Sequence, residues 1–480
     1  MIQLDLMILV PAAFALLCVA LGRSPSSPRW IALAAIAVQV GLFASLVPDG
    51  VMKGVRLTGA VAPKLNAIWF TSVDGLSTPF VLLTLFIGIA AVIASWRIAE
   101  RPGTYFGLIL ALQAAVTGVF LAENLVLFYV AWESVLIPMY FLIGGWGSSN
   151  RRHAATKYLI YTFGAGAIML FGVLLALQSR TPSGNISDIA RSAATMPAAS
   201  LVFWLFMVAF LVKLPVVPLH TWLPDAHTEA PTAGSIILAG VLLKMGGYGI
   251  LRIGIPFAPH AFEAARPLLA TLGIVGIVYG AAMALVQTDL KRLVAYSSVS
   301  HMGFVILAIA AATANAFGAS VFAMVSHGFV AGLLFLLVGS LYDRAHTREL
   351  DRFGGLGRVM PVWGVAFTFG ALASLGLPGL SGFPGEFVTV LESFTVFGWW
   401  IVIGTLGLAL GAAYNLRAVR NSVQGAPGEF SALPDLGPRE IGLSAAFAVA
   451  IVVIGLEPML VLSISSQALR GLARLAGGGV

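Results

Sequence analysis

The amino-acid sequence predicts an all-α polytopic membrane protein with about fourteen transmembrane helices. Two observations lead to this fold class. The 480 residues are 59% hydrophobic and only 10% charged, with a mean hydropathy of +0.96, which excludes an ordinary soluble domain. In addition, apolar runs long enough to cross about 30 Å of hydrocarbon recur along the whole chain.

These apolar runs define the predicted helices in chain order. The first run contains the acidic Asp5 and has no basic segment before it, which indicates a retained helix and not a cleaved signal peptide. The predicted spans cover residues 4–22, 30–47, 75–96, 104–121, 124–145, 155–178, 201–219, 232–253, 268–286, 293–313, 315–342, 360–397, 399–419 and 441–463.

Helices seven and twelve are predicted to be broken. Pro215 and Pro218 lie in helix seven, and proline disrupts a helix because it lacks a backbone donor. A straight helix over 360–397 would be about 57 Å long at a rise of 1.5 Å per residue, which exceeds the hydrocarbon core. Its centre contains Pro378, Pro384 and several glycines, so we predict one interrupted helix there.

Loop charge predicts the orientation in the membrane. If the fourteen spans alternate, the loops on one side carry sixteen Lys and Arg residues and those on the other side carry nine. Cytoplasmic loops are enriched in Lys and Arg, so both termini are predicted to be periplasmic, in a bacterial inner membrane. Splitting 360–397 into two full spans would move the basic 417–439 loop outside, which again favours one interrupted helix.

A weak internal symmetry divides the chain into four parts. Helices four to eight occupy 104–253, and helices nine to thirteen occupy 254–419. Because five is odd, the second set of five would be inverted relative to the first, and inverted repeats with broken helices are characteristic of ion-coupled transporters. Helices one to three (1–103) precede the repeats, and helix fourteen with a tail (420–480) follows them.

Four ionisable side chains are predicted to lie within or beside membrane-spanning segments: Glu133, Lys213, Lys244 and Glu386. A charge in hydrocarbon costs roughly 3 kcal/mol even on lenient scales, so such residues face the protein interior and mark ion pathways. Their alternating signs predict proton or cation translocation. The alternatives are a glutamate neutralised permanently in a fixed ion pair and a lysine whose ammonium group reaches the membrane interface.

Two histidines lie on the apolar helices ten and eleven, at His301 and His327. Histidine titrates near neutral pH and can pass a proton between its two ring nitrogens. A histidine on an apolar face can equally be a hydrogen-bonded core residue. Both interpretations stay open from the sequence.

The segment HTWLPDAHTEAPT after helix seven brings together His220, Asp225, His227 and Glu229. A metal site there lacks the His-x-x-x-His spacing and has no cysteine. The sequence favours a polar, proline-rigid loop at one mouth of a channel, with His220 as a candidate member of a proton relay.

No cofactor is expected on this chain. The single cysteine, Cys18, excludes an intrachain disulfide and a cysteine-ligated iron–sulfur centre. There is no glycine-rich dinucleotide motif after a strand, no phosphate-binding loop and no hydrolase motif. We likewise predict no metal ion.

Three long segments resemble the antiporter-like proton-translocating subunits of respiratory complex I. They are VKLPVVPLHTWLPDAHTEAPTAGSIILAGVLLKMGGYGILR, NLVLFYVAWESVLIPMYFLIGGWG and QTDLKRLVAYSSVSHMGF. The resemblance covers helices three to thirteen. It implies that Glu133 and Lys213 form a paired input site, that Lys244 is the central relay and that Glu386 ends the half-channel.

The same resemblance places His220, His301 and His327 along the polar axis of the family. Subunit L of the family carries a lysine at the helix-twelve site and a long C-terminal lateral helix. This chain has Glu386 there and stops soon after helix fourteen, which separates it from subunit L. Subunits of Mrp-type sodium/proton antiporters and of membrane-bound hydrogenases share much of the pattern and are the alternative. A structural scaffold would leave the intramembrane charges unexplained.

The resemblance also implies partners and a division of labour. The chain would be a subunit of a proton-translocating NADH:quinone oxidoreductase, beside the antiporter-like subunits L and N in the lipid bilayer. NADH, FMN, iron–sulfur clusters and quinone would be held by partner subunits. The net charge of +7 does not indicate nucleic-acid binding, because the basic residues are dispersed among loops.

The predicted orientation can be tested by labelling a cysteine introduced at Arg152, in a variant whose native Cys18 is replaced by serine. The side chain at position 152 lies in a loop that the charge bias assigns to the cytoplasm. A membrane-impermeant maleimide should label R152C in inside-out vesicles and leave it unlabelled in intact cells. Labelling from the periplasmic face would show that the orientation is reversed.

Overall fold

The computed structural model describes residues 2–22, 27–59, 68–178, 184–193, 196, 198–427 and 429–477. Within these ranges the chain is mostly helical. Three basic residues that entered the loop-charge count, Arg23, Lys64 and Arg180, lie outside the described residues.

The helices of the first half differ widely in length. They are α1 (Ile2–Leu21), α2 (Ser27–Ala44), α3 (Thr78–Ala94), α4 (Pro102–Leu121), α5 (Leu125–Ser134), α6 (Leu136–Trp146), α7 (Arg151–Leu177), α8 (Ile186–Ala193), α9 (Ala199–Lys213), α10 (Trp222–Glu229), α11 (Thr232–Ile237), α12 (Leu243–Gly249) and α13 (Ile255–Phe257). Two π-helical segments, Leu238–Leu242 and Ile250–Gly254, join the last three into one continuous rod.

The second half of the chain is also a series of α-helices. Its helices are α14 (Pro259–Val286), α15 (Leu290–Ala311), α16 (Ala314–Ala345), α17 (Leu356–Val359), α18 (Pro361–Ser374), α19 (Gly382–Phe397), α20 (Val402–Ser422), α21 (Pro438–Leu456) and α22 (Met459–Leu475). Short 3₁₀ segments occupy Val51–Lys53, Leu350–Arg352 and Gly398–Ile401.

The described helices confirm the predicted class of a helical polytopic membrane protein. Eleven segments of the described chain are long and apolar enough to cross a membrane, and three of these segments join consecutive helices: α5 with α6, α11 to α13, and α19 with α20. Three shorter apolar helices, α3, α9 and α18, accompany them. Two of these three end at a break in a predicted span.

Both predicted breaks are present. The first separates α9 from α10, where Trp222 Nε1 donates to the freed Val212 carbonyl at 3.0 Å. The second separates α18 from α19, and it turns through Gly376 and Gly379 with φ of +80° and +91°, a conformation that glycine adopts without strain. Each break exposes helix ends inside the bundle, where unpaired backbone groups attract charge.

Two segments differ from the sequence-based expectation. The predicted loop HTWLPDAHTEAP forms the helix α10 over most of its length, because its Pro224 falls in the first helical turn, where no intrahelical donor is needed. The predicted final span 441–463 is two helices, α21 and α22. The chain turns at Glu457–Pro458, and Pro458 stands at the N-cap of α22.

The two ends of the described chain lie on one loop face. Near the start of α1, Asp5 accepts hydrogen bonds from Trp69 Nε1 at 2.8 Å and Thr71 Oγ1 at 2.9 Å. Thr71 begins β2 (Thr71–Val73), which pairs antiparallel with β1 (Leu57–Gly59). The amphipathic α22 lies on the same face, because the Ile464 carbonyl approaches Gly54 and Gly75. The opposite face, called the basic face below, holds Arg97, Arg151, Arg348 and Arg439.

A buried ion pair ties the loop before α3 to the second π-helical segment. The Arg252 guanidinium donates to both carboxylate oxygens of Asp74 at 2.7 Å. Arg252 Nε also donates to the Tyr248 hydroxyl at 2.9 Å, and that hydroxyl donates to the Phe120 carbonyl at 3.1 Å. Both members of the ion pair are largely buried, with 12% and 14% of their side chains exposed.

This pairing sets the protonation of Asp74. Burial raises the pKa of Asp74, but the positive charge and hydrogen bonds of Arg252, with two backbone N–H groups of the following turn, outweigh burial and lower the pKa to about 2. A carboxyl whose pKa is lowered in the folded state stabilises that state above its unfolded pKa of about 3.9. The contribution is lost as pH falls toward about 2.

We predict that Asp74→Asn destabilises the protein, because it leaves Arg252 buried without its charged partner, a loss of roughly 3 kcal/mol. The buried Cys18 thiol makes the measurement direct, since a thiol-reactive fluorophore labels it only on unfolding. The variant should show a lower thermal midpoint near neutral pH, and the difference should narrow in acid. Glu429→Gln is the control, because its ion pair with Arg352 is exposed. Equal midpoints for wild type and Asp74→Asn would contradict the prediction.

Candidate functional site: a buried chain of ionisable residues

Glu133 lies near the end of α5, where the helix gives way to α6 at Val135. Its side chain lies against Gly166 of α7, and a Cβ added there would collide with the carboxylate. Glu133 Oε1 is buried and has no hydrogen-bond partner. An unpaired carboxylate oxygen inside a protein is costly unless the group is protonated or meets a cation.

The nearest counter-charge is Lys213, the last residue of α9. Only 2% of Lys213 is exposed, and its ammonium lies 5.6 Å from the Trp132 ring centroid and 5.7 Å from that of Tyr158. Lys213 and Glu133 interact electrostatically. Among the ion pairs of the described residues, however, none joins them within 4.0 Å. The structure therefore places Glu133 and Lys213 within electrostatic range of each other, but the two side chains do not form an ion pair.

Lys244 is fully buried in α12, directly after the π-helical segment Leu238–Leu242. A π turn shifts the backbone hydrogen bonds by one residue, and the Ala239 carbonyl accepts a hydrogen bond from the Lys244 ammonium. The same ammonium lies 2.7 Å from His327 Nδ1 of α16. When Lys244 is protonated it donates to Nδ1, so His327 carries its own proton on Nε2.

The chain of contacts continues from α16 to α15 and α19. The rings of His327 and His301 have centroids 5.6 Å apart. His301 Nδ1 lies 2.8 Å from Glu386 Oε1, and its Nε2 lies 3.2 Å from Ser374 Oγ. Four predicted site residues, Lys244, His327, His301 and Glu386, therefore form one continuous string.

A small cavity of about 30 Å³ lies along this string. His301, His327 and Glu386 line it together with the hydroxyls of Ser297, Ser326 and Ser374. His327 Nε2 is buried and has no hydrogen-bond partner in the described chain. A buried polar cavity holds water where several polar groups converge, so the space suits a water that joins the two imidazoles.

The backbone of α19 brings Glu386 to the cavity. Gly385 allows this approach, because a Cβ there would lie 3.1 Å from the backbone of Ala323 in α16. Gly376, at the turn of the break, lies close to the carboxylate, and a Cβ there would be 3.0 Å from Glu386 Oε2. The helix break and the acid therefore form one local unit.

His220 lies apart from the string. It stands in the break after α9 and is 3% exposed. Its ring meets Tyr279 edge-on at a centroid distance of 5.1 Å, and its Nδ1 is buried without a hydrogen-bond partner. The structure places it beside the first break but does not link it by hydrogen bonds to Lys213 or Lys244 within the described residues.

Two buried groups were not singled out as relay members from the sequence. His227 in α10 is fully buried, is stacked 4.5 Å from the Phe335 ring, and has no hydrogen-bond partner on either ring nitrogen. Its ring lies within electrostatic range of Lys244 and Lys291. Lys291, 5% exposed, donates to the Ala230 carbonyl. The sequence drew attention to His227 because it lies in the polar segment HTWLPDAHTEAP. The sequence alone did not indicate that its side chain is buried.

The two carboxylates of that segment have cationic or hydrogen-bonding partners. Asp225 pairs with Lys157 at 2.6 Å and with Arg292 at 3.2 Å. Glu229 accepts from Ser148 Oγ at 3.0 Å and from the Asn150 backbone at 2.9 Å. Both carboxylates are therefore held by partners within the protein.

Comparison with known proteins decides the family. The model of the family described as "NADH:quinone oxidoreductase/Mrp antiporter, TM" matches residues 122–411, which include every residue of the string. The chain belongs to this family.

A relative from Pseudomonas aeruginosa, named NADH-quinone oxidoreductase subunit M, is 39% identical over 98% of this chain and 97% of its own length. A chain in the structure of respiratory complex I from Thermus thermophilus with bound NADH is 31% identical. It covers 99% of this chain and 100% of its own length, with a TM-score of 0.90. A chain of the Mrp complex from Dietzia sp. has a TM-score of 0.89 at 22% identity, over 99% of both chains, and so shares the fold. The relative named subunit M agrees with the separation from subunit L that Glu386 indicated.

Proposed function

We propose that this chain is a proton-translocating membrane subunit of an NADH:quinone oxidoreductase of the complex I type. The observation that carries the proposal is the continuous contact from Lys244 through His327 and His301 to Glu386. Each member exchanges protons, and each is enclosed by apolar helices where a fixed charge would be costly. Relatives that bear the name of a complex I subunit over nearly the full chain supply the electron-transfer context. The likeness to the Mrp complex supports the fold and favours no second function.

Proton movement along the string follows from its geometry. Lys244 gives its proton to His327 Nδ1, and His327 releases a different proton from Nε2 into the cavity. A water in the cavity passes that proton to His301, whose hydrogen bond to Glu386 hands it to the carboxylate. Each imidazole accepts on one nitrogen and donates from the other, so the net transfer needs no rotation of the helix.

The Glu133–Lys213 pair is the proposed control element. When the two groups close into an ion pair, Lys213 carries less unbalanced positive charge toward Lys244, and Lys244 holds its proton more tightly. When the pair opens, repulsion between the two ammonium groups favours release toward His327. In this proposal, the open arrangement of Glu133 and Lys213 is the releasing state. His220 at the break, and His227 beside Lys291, are proposed to supply protons from the basic face.

We also propose the number of membrane spans, their repeat arrangement and their orientation in the membrane. Counting α18 with α19 as one broken span, counting α20 as a separate span, and adding α3 and α9 to the long segments gives fourteen spans, a number compatible with inverted five-helix repeats. The two breaks would then occupy corresponding places in helices seven and twelve. We propose a bacterial inner-membrane location with both termini periplasmic and the basic face cytoplasmic, as loop charge favours.

We also propose that redox chemistry takes place elsewhere in the complex. NADH, FMN, iron–sulfur clusters and quinone would be bound by partner subunits, and antiporter-like subunits L and N would flank this chain in the membrane arm. Coupling would reach Glu133 as a change of charge or hydration at the boundary with a neighbour. This chain would then take part in an oxidoreductase as a translocating subunit.

Gly166→Ala tests the role of the input pair without removing either charge. The added methyl would displace the Glu133 carboxylate, since that side chain is what a Cβ at this position meets first. We expect the variant to assemble and to lose most NADH-driven proton pumping in membrane vesicles, measured by quenching of a pH-sensitive dye. Electron transfer from NADH to an artificial acceptor reports assembly.

Gly164→Ala is the matched control on the same helix. A Cβ at Gly164 meets nothing within 4 Å, and both changes replace glycine by a better helix former. Gly164→Ala should pump normally. If the two variants pump alike, the position of the Glu133 carboxylate does not control translocation, and this part of the mechanism is wrong.

A further inference from the structure

An apolar groove runs along the outside of the molecule between α3 and α21. Its volume is about 270 Å³. Phe86, Ile89 and Ile93 line one wall, Gly442 and Ala446 line the other, and Arg439 stands at one end. A Cβ at Gly442 would meet nothing within 4 Å, so the groove has open space at this position.

The end of the groove at the basic face is strongly positive. The Arg29 guanidinium lies 4.8 Å from the Trp96 ring centroid, and that of Arg439 lies 5.8 Å from the same ring. Arg97 is the next residue in the chain. The guanidinium groups of Arg29 and Arg439 thus both lie over one indole ring, and Arg97 adds a third positive charge to this end of the groove.

These arginines lack a matching set of carboxylates. Among the ion pairs within 4.0 Å in the described chain, none involves Arg29, Arg97 or Arg439. Arg29 Nε is buried and has no hydrogen-bond partner. Asp343 and Glu440 lie within electrostatic range of Arg97.

Glu440 does not neutralise this cluster, because its two oxygens accept from Arg344 at 2.9 and 2.6 Å. Asp343 is therefore the acid left near Arg97, and neither Arg29 nor Arg439 forms an ion pair within the described residues. Arginine forms paired hydrogen bonds to phosphate, for which its planar fork is suited. The cluster has the charge and the donors to bind a phosphate group.

Two tryptophans mark the depth of the cluster in the membrane. Trp30 is 59% exposed and meets Trp96 edge-on at a centroid distance of 4.9 Å. Tryptophans concentrate at the level of the lipid head groups. The apolar wall from Ile93 to Phe86 then descends about 10 Å into the hydrocarbon region at 1.5 Å per residue.

We propose that this groove binds an anionic phospholipid, with its phosphate against Arg439, Arg97 and Arg29 and an acyl chain between α3 and α21. The excess of positive charge selects an anionic lipid over a zwitterionic one. The continuous apolar floor fits an acyl chain, and the open space at Gly442 accommodates it without moving either helix. The proposal is independent of the translocation mechanism.

Native mass spectrometry of the full chain in detergent tests the proposal. Phosphatidylglycerol and phosphatidylcholine are added separately, and bound lipid is counted. Wild type should retain phosphatidylglycerol in preference to phosphatidylcholine. Removing both Arg97 and Arg439 by substitution with alanine should weaken phosphatidylglycerol binding by about fivefold for each arginine, the effect of one basic group near an anionic lipid, and should leave phosphatidylcholine unchanged.

A second variant tests the groove itself. Gly442→Phe should fill it and reduce the retention of phosphatidylglycerol, whereas Gly164→Phe, at another open glycine on α7, should not. Failure of a thiol reagent to label buried Cys18 confirms folding in each case. Equal retention of the two lipids by wild type, or unchanged retention in the arginine and Gly442→Phe variants, would overturn the proposal. If the same variants, purified in the complete complex, lose partner subunits while the isolated chain retains lipid as wild type does, the groove is a subunit contact instead.

Discussion

The structure depends on one constraint, that ionisable groups buried among apolar helices must find partners within the protein. Lys244 is the clearest case, since it is fully buried in a rod formed by α11 to α13. Its ammonium is satisfied by a backbone carbonyl freed in a π turn and by a histidine of the next helix. The irregular helix turns and the buried ionisable groups therefore depend on each other. In a regular helix every carbonyl at this depth accepts a backbone hydrogen bond, so none would be free to accept one from Lys244.

The two ends of the site meet this constraint differently. Glu386 is fixed by a hydrogen bond from His301 and by glycines that allow α19 and the break to close around it. Glu133 keeps a buried oxygen without a partner, and Lys213 has the faces of two aromatic rings as neighbours. Glu386 is therefore hydrogen-bonded, whereas Glu133 and Lys213 are not paired. This difference suits the proposal that the Glu133–Lys213 pair forms and separates when the charge on a neighbouring subunit changes.

Much of this could be predicted from the sequence, for physical reasons that differ between residues. Pro215 and the Pro/Gly run near Pro378 predicted both breaks, since proline and glycine act locally. The intramembrane position of Lys244 predicted its burial, because no other location fits a charge in that apolar run. The string itself required the fold, since His327 reaches Lys244 only through the packing of α16 against α12. The helix α10 and the burial of His227 were missed because proline and polar residues usually indicate a loop.

The number of protons moved per electron pair is the most direct test of the string as a conduction path. It should be measured in proteoliposomes containing the complete complex with Glu386→Gln, and with Glu392→Gln as the control on the same helix. Glu392 accepts hydrogen bonds from Thr313 and Asn315, outside the string. We predict a lower ratio for Glu386→Gln and a wild-type ratio for Glu392→Gln, with both complexes assembled. A wild-type ratio for Glu386→Gln would show that protons do not leave through this carboxylate.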